Sequence, residues 1–265
     1  MNEFELKEFI SGKALAVRIS EAEALHPALS GMRVFDAPIF AAARADDPLF
    51  SGLKSADAVG AHHLVPADWT RDARFVLSVF FPFAERVRAA NAAPGRMPAA
   101  EWLHGRIEGQ KHISAVAAAS AELLRRAGFS AVAPCVDARF CAQGFTSNWS
   151  ERHVAFVCGL GTFGLSKGLI TEKGIAGRFF SLVTNMGLSV SRRGYTELYE
   201  YCIFCGRCVK RCPVDAIDPE TGKAHAPCHA FLEETRARFS PRYGCGKCQT
   251  GVPCESGAPA RSVKL

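Results

Sequence analysis

The sequence predicts a mixed α/β (α+β) domain over residues 1–194, followed by a small cysteine-framed module over residues 195–265. Three stretches carry that prediction. Arg74-Phe-Val-Leu-Ser-Val-Phe-Phe-Pro82 is a nearly continuous β-branched and aromatic run ended by Pro, the pattern of a central strand buried on both faces. Residues 99–127 place Trp102, Leu103, Ile107, Ile113, Val116, Ala117, Leu123 and Leu124 near helical spacing, with Pro98 before the start and Gly128 as the stop. The third is the run from Cys202 to Pro213 with the cysteines that follow it.

Taken in order, Phe4, Leu6, Phe9 and Ile10 predict a first helix over 3–11, and Lys13–Ile19 a short strand. Met32–Phe40 is expected to run as strand or loop into Pro38, and Ile39–Ala45 to be helical. His62 and His63 are chain neighbours, which cannot share one face of a helix or strand, so neither is expected to be a ligand. Residues 84–99 hold Asn, Gly and Pro and are expected to be a connecting loop. A second strand over Ser130–Val136 completes a strand–helix–strand order, which makes this part an α/β layer. Asn148-Trp-Ser-Glu151 has the spacing of a capping box and predicts a helix over Arg152–Cys158. Gly177–Asn185 is the third strand.

The spacing of Cys202, Cys205, Cys208, Cys212 and Pro213 is C-x2-C-x2-C-x3-C-P, which wraps a [4Fe–4S] cluster in bacterial ferredoxins. Three thiolates two residues apart curl around one cube, and the fourth faces away to serve a second. Two clusters need four more ligands, and Cys228, Cys245, Cys248 and Cys254 follow. The first cluster is assigned Cys202, Cys205, Cys208 and Cys254; the second takes Cys212, Cys228, Cys245 and Cys248. The return motif departs from the usual form: five residues separate Cys248 from Cys254, and no Pro follows Cys254. A zinc ribbon would want two C-x2-C pairs without a third cysteine in phase. Disulfides would want an oxidising compartment, and Met1-Asn-Glu-Phe-Glu-Leu-Lys-Glu is not a secretory leader.

No run approaches the roughly 18 apolar residues of a membrane span. The chain therefore reads as cytoplasmic, where eleven cysteines point to metal or redox use. Cys135, Cys141 and Cys158 remain outside the cluster sets and are expected to be small buried residues. The net charge of +6 is spread out, with a knot at Arg207, Lys210 and Arg211 placed to favour reduced clusters or to dock an acidic electron donor. No basic-aromatic stripe argues for nucleic acid.

Gly159-Leu-Gly161-Thr-Phe-Gly164 satisfies a dinucleotide-binding pattern, but a helix precedes it where a strand is required. Its glycines let the backbone approach something closely, either a bulky cofactor or another strand.

Ser150-Glu-Arg-His-Val-Ala-Phe-Val-Cys-Gly-Leu-Gly-Thr-Phe-Gly-Leu-Ser-Lys-Gly-Leu-Ile-Thr171, the strand Gly177–Asn185, the Cys202–Pro213 run, Cys228 and Tyr243-Gly-Cys-Gly-Lys-Cys248 follow in that order. Together they resemble the epoxyqueuosine reductase and reductive dehalogenase superfamily, in particular its short iron–sulfur members. The resemblance covers residues 130–256 well and the N-terminal part loosely. It implies a nitroreductase-like α/β domain holding base-off cobalamin, beside a bacterial-ferredoxin-like module with two [4Fe–4S] clusters. A reduced ferredoxin or flavodoxin-like donor would feed the clusters, and electrons would pass through cobalt to a small molecule or modified nucleoside. On this resemblance Ser147, Glu151, Arg152, Gly159, Gly161, Thr162, Gly164 and Ser166 lie along the corrin.

The chain departs from that pattern twice. Epoxyqueuosine reductases carry an Asp proton donor followed by Ser-Ala-Pro, where this chain reads Phe145-Thr-Ser-Asn-Trp149. Dehalogenases use a Tyr, but Tyr195, Tyr199, Tyr201 and Tyr243 all stand at or inside the cysteine module. Asp137 and His153 are then the leading donor candidates, with His104 and Glu108 behind them. Eleven residues follow Cys254, too few for the helical-repeat extension of some epoxyqueuosine reductases, so nucleic acid is not the expected partner. The competing reading is a corrinoid-free electron-transfer or activator protein that reduces a partner.

Overall fold

Four antiparallel strands form the sheet at the centre of the molecule, in the order Ile39–Arg44, Phe75–Pro82, Gly177–Thr184 and Ala131–Val132. The computed structural model describes residues 1–259. All eight residues of Phe75–Pro82 are buried, as a run apolar on both sides dictates. Side chains alternate between faces along a strand. Leu77, Val79 and Phe81 enter a core with Trp102, Ile113 and Leu124 of the long helix Ala100–Arg126. Val76 and Phe80 enter a second core with Trp149 and with Val154 and Val157 of the helix Glu151–Cys158. The sheet is thus a filled layer between two helices.

Several elements differ from the sequence-based expectation. Ile39–Arg44 is a strand, not a helix. Its alanines suit a helix, but pairing with the central strand overrides propensity, and Ala41, Ala42 and Ala43 are the small residues buried there. Residues 84–99 hold a helix, Glu85–Ala92, rather than a loop alone. Lys13–Ile19 is not a strand: the first helix runs Glu3–Leu15 from an Asn2–Glu5 capping box, and Arg18 makes one bridge to Arg33. The second strand pairs only over Ala131–Val132, before Pro134 opens a helical turn. Asn148 does not cap the next helix. Its side chain accepts from Cys141 N at 2.9 Å and donates to Arg139 O at 2.8 Å, closing the Ala142–Gln143/Thr146–Ser147 hairpin. Cys158 is buried as expected and Cys135 half-buried, whereas Cys141 is exposed.

Beyond Thr184 the chain leaves the sheet, and the cysteine-rich part consists of short turns and one longer helix, His225–Phe239. It is sewn onto the sheet layer. Ile175 N donates to Cys254 O at 2.9 Å. Arg242 pairs with Glu108 of the long helix at 3.0 Å. Gly246 lies flat on Trp102: a Cβ there would fall 2.0 Å from the indole, and its φ of 67° is left-handed, so no other residue fits. Among the described residues no helix is long and apolar enough to cross a membrane.

Candidate functional site

Two cavities gather the cysteines by fours. Cys202, Cys205, Cys208 and Cys254 line one, with Ile170, Phe204, Val252 and Pro253. Cys212, Cys228, Cys245 and Cys248 line the other, with Arg106, Lys223 and Phe231. The structure therefore brings together the same two sets that the spacing assigns, and the long gap before Cys254 spans back to the first. Among the described residues no three His, Cys, Asp or Glu converge on one point as a single-ion site would have them.

Burial, reinforced by neighbouring thiols, pushes Cys208 up to about 11 and Cys245 and Cys254 up to about 12. Four thiolates cannot share so small a space without positive charge between them; bound iron would supply it while displacing the protons.

Cations crowd the second cavity. Lys223 lines it, and Arg152 lies close enough to interact with Cys248 while its Nη1 donates to Lys167 O at 2.7 Å. Lys247 is buried in the same loop, and its Nζ donates to Asn91 O and Ala93 O, both at 3.1 Å, at the end of the Glu85–Ala92 helix. The basic knot splits: Arg211 turns inward to Lys247 O at 3.1 Å, while Arg207 and Lys210 stay exposed.

The glycine segment packs against another strand. Gly161–Phe163 pairs with Leu169–Thr171, and a Cβ on Gly161 would fall 1.9 Å from Ile170 O. Thr162 is buried and accepts from Tyr201 N at 2.8 Å. Gly159 ends the Glu151–Cys158 helix, and Gly164 and Ser166 line the first cysteine cavity. Ser147 donates to Trp149 O at 2.9 Å. Of the residues assigned to a corrin, Arg152 is the one this geometry places at the second cavity, while the ribbon residues frame the first.

The candidate proton donors are otherwise engaged. Arg139 binds Asp137 at 2.8 Å and holds its carboxyl below the usual range, which suits an ion pair and not an acid. His153 contacts Ser150 Oγ at 2.7 Å, and burial pulls it down to about 4, so it is neutral at neutral pH. His104 Nε2 accepts from Leu25 N at 3.2 Å, which places its proton on Nδ1, facing Glu108 at 3.1 Å. Glu108 in turn takes Arg242, so this trio fastens the long helix to its neighbours. His63 Nε2 accepts from Ser150 N and its ring stacks on Trp149; it is structural, as expected. Glu151 is the unexpected acid. Both its carboxylate oxygens are shut off from solvent without a well-placed hydrogen bond, and burial, only tempered by Ser181, raises it to about 7.

Sequence reasoning missed the groups that border the second cavity. An open recess of about 520 Å³ is lined by Arg106, Gln110, Lys111, Ser114, Arg178 and Tyr243. Arg106 lines both this recess and the second cavity, so the two adjoin. Tyr243 was set aside by its place among the cysteines, yet its phenol faces this recess, and Arg106 holds it below its usual value. Phe145 is 55% exposed and stacks on His225 of the cysteine-rich part with ring centres 5.2 Å apart.

Residues 196–218 match the 4Fe-4S binding domain family. No curated protein matches the chain in sequence. Solved structures are similar in fold. The epoxyqueuosine reductase from Streptococcus thermophilus aligns over 98% of this chain and 68% of its own, with 13% identity and a TM-score of 0.52. The enzyme from Bacillus subtilis, solved with its catalytic loop swung out of the active site, gives 17% identity and a TM-score of 0.52. A catabolic reductive dehalogenase aligns over 84% of this chain with 16% identity and a TM-score of 0.55; the chain spans 30% of that protein's length. The chain thus has the mixed α/β fold of these reductases, with a 4Fe–4S binding segment near its C-terminal end.

Proposed function

We propose that the protein is an iron–sulfur oxidoreductase in which two [4Fe–4S] clusters pass electrons to an acceptor held beside the second. In this reading residues 1–194 are a nitroreductase-like domain for cofactor and substrate, and residues 195–265 a ferredoxin-type double-cluster module. The observation that carries it is the pairing of two four-cysteine cavities with an open recess that adjoins only the second through Arg106.

Electrons come in at the first cluster. Cys205 is exposed there, flanked by Ile203 at 38% and Phe204 at 56% exposure, with Arg207 and Lys210 nearby. Phe204 has a φ of 50°, a backbone state costly for a non-glycine residue, and its exposed ring gains no core packing in return. Such an apolar spot with a basic fringe fits an acidic reduced ferredoxin or flavodoxin-like donor.

The acceptor we propose is cobalamin. The groups around the second cavity fit it: Arg152, Lys223 and His225 offer N–H donors to a rim of amide carbonyls, and exposed Phe145 offers an apolar face. A related structure is described as suggesting a mechanism for B12-dependent dehalogenation. Bound cobalamin supplies a strongly reducing metal centre, and the protein supplies position and electrostatics. Tyr243 holds the proton for the substrate in the recess: its phenol is already pulled toward release by Arg106. The substrate is a small molecule.

The test is anaerobic reconstitution with iron, sulfide and hydroxocobalamin, desalting, and analysis of iron and cobalt on one sample. Cobalt near one per chain supports the cobalamin reading. Full iron without cobalt replaces it with the corrinoid-free alternative, an electron carrier that reduces a partner.

A further inference from the structure

We infer that the recess formed by Arg106, Lys111, Arg178 and Tyr243 is an oxyanion site, which takes the phosphate or carboxylate group of the molecule reduced beside the second cluster. Buried charges are ordinarily paired, because desolvation of a lone ion costs several kcal/mol. The Nε atoms of Arg106 and Arg178 are both shut off from solvent and have no acceptor. Among the described residues no carboxylate pairs with either guanidinium: Arg106 interacts with the Tyr243 phenol, and Arg178 Nη2 donates to Arg106 O at 3.0 Å.

The lining itself adds one further cation. Lys111 stands at the mouth, and among the described residues no Asp or Glu lines the recess; Arg236, beside Tyr243, is paired with Glu233 at 3.4 Å. Arg106 and Arg236 lie over the Tyr243 ring at 4.5 Å and 4.0 Å. Burial, with Arg106 close by, presses Arg178 down to about 9, the direction expected where a countercharge is wanting. Gln110 and Ser114 add neutral polar groups, and Ile107 an apolar one.

An anion with several oxygens answers all of these groups at once. Planar guanidinium forks match the paired oxygens of carboxylate and phosphate, and a lysine adds a point charge. At about 520 Å³ the recess has room for a substrate around that group.

The naming of the bound anion as substrate rests on the second cluster being where electrons leave; the anion site itself does not. The experiment therefore uses cluster-loaded, cobalt-free protein. Inorganic phosphate, then benzoate, is titrated by calorimetry at constant ionic strength, for the wild type, Arg178→Gln and Lys111→Gln. We expect one saturable site, weakened at least tenfold in Arg178→Gln and severalfold in Lys111→Gln, whose exposed position leaves the fold intact. Tighter phosphate binding names a phosphorylated substrate, and tighter benzoate binding a carboxylic acid. No saturable binding of either probe, or equal affinity in all three proteins, overturns the proposal. Anion binding by protein that retains no cobalt keeps this site while removing the cobalamin reading; retained cobalt without anion binding does the reverse.

Discussion

At the rim of the first cysteine cavity, Ile203, Phe204 and Cys205 stand in solvent, and the lining is apolar apart from Ser166 and the cysteines, with Arg207 and Lys210 exposed outside it. Around the second, Arg106 and Lys223 line the wall, Arg152 approaches Cys248, and buried Lys247 sits between Cys245 and Cys248. A cluster gains negative charge on reduction, so nearby cations favour its reduced state and raise its potential. On the proposed function the contrast would give the pair a direction: the accessible site would receive electrons, and the cation-ringed site beside the recess would draw them inward.

The sharpest way to break this comparison is to delete one site at a time. Cys228→Ser should remove about four irons per chain, the content of one cube, and leave the first cluster. Cys254→Ser should remove the other four. Iron content at the wild-type level in either variant, measured after anaerobic reconstitution, would sink that ligand assignment. The next effect concerns the recess. Tyr243→Phe should lower turnover about 100-fold, within the range of a lost general acid, while both clusters still reduce normally. Unchanged turnover would mean that the proton comes from elsewhere.

A third test uses Glu151, whose folded-state value of about 7 lies above the usual 4.5. The folded protein then holds this proton where the unfolded chain has lost it, so the contribution of Glu151 to stability falls as pH rises from about 5 through 7. The loss is at most about 3 kcal/mol. His63 and His153, both held down to about 4, add an opposite pH dependence that cluster-loaded wild type and Glu151→Gln share. The wild-type urea midpoint should therefore fall relative to that of Glu151→Gln over this window; parallel profiles would contradict the assignment. The smallest effect sharpens the contrast itself. Lys247→Met should move only the second cluster to a more negative potential, with Lys247→Arg close to wild type.

Much of this architecture was legible from local pattern. Arg74–Pro82 announced itself because a strand buried on both faces must be apolar throughout, and the cysteine sets because one cube fixes its ligand spacing. Ile39–Arg44 was not legible, since an alanine run becomes a strand only when a neighbour supplies hydrogen-bond partners. The glycines at 159–164 announced close approach without saying to what; Gly161 meets Ile170. Asp137, His153, His104 and Glu108 had the right chemistry for a donor, but each is spent on a partner. Arg139, Ser150 and the His104–Glu108 pair lie two to four residues apart and are readable from spacing, whereas Arg242, which Glu108 also takes, is brought by the fold alone. Arg106, Arg178 and Tyr243 come from three distant parts of the chain, and only folding unites them.

The measurement closest to the central claim is an anaerobic redox titration followed by electron paramagnetic resonance, on wild type and on Cys228→Ser. The account predicts two midpoint potentials in wild type and loss of the higher one in Cys228→Ser. Survival of the higher potential in that variant, or a single four-iron signal in wild type, would contradict it.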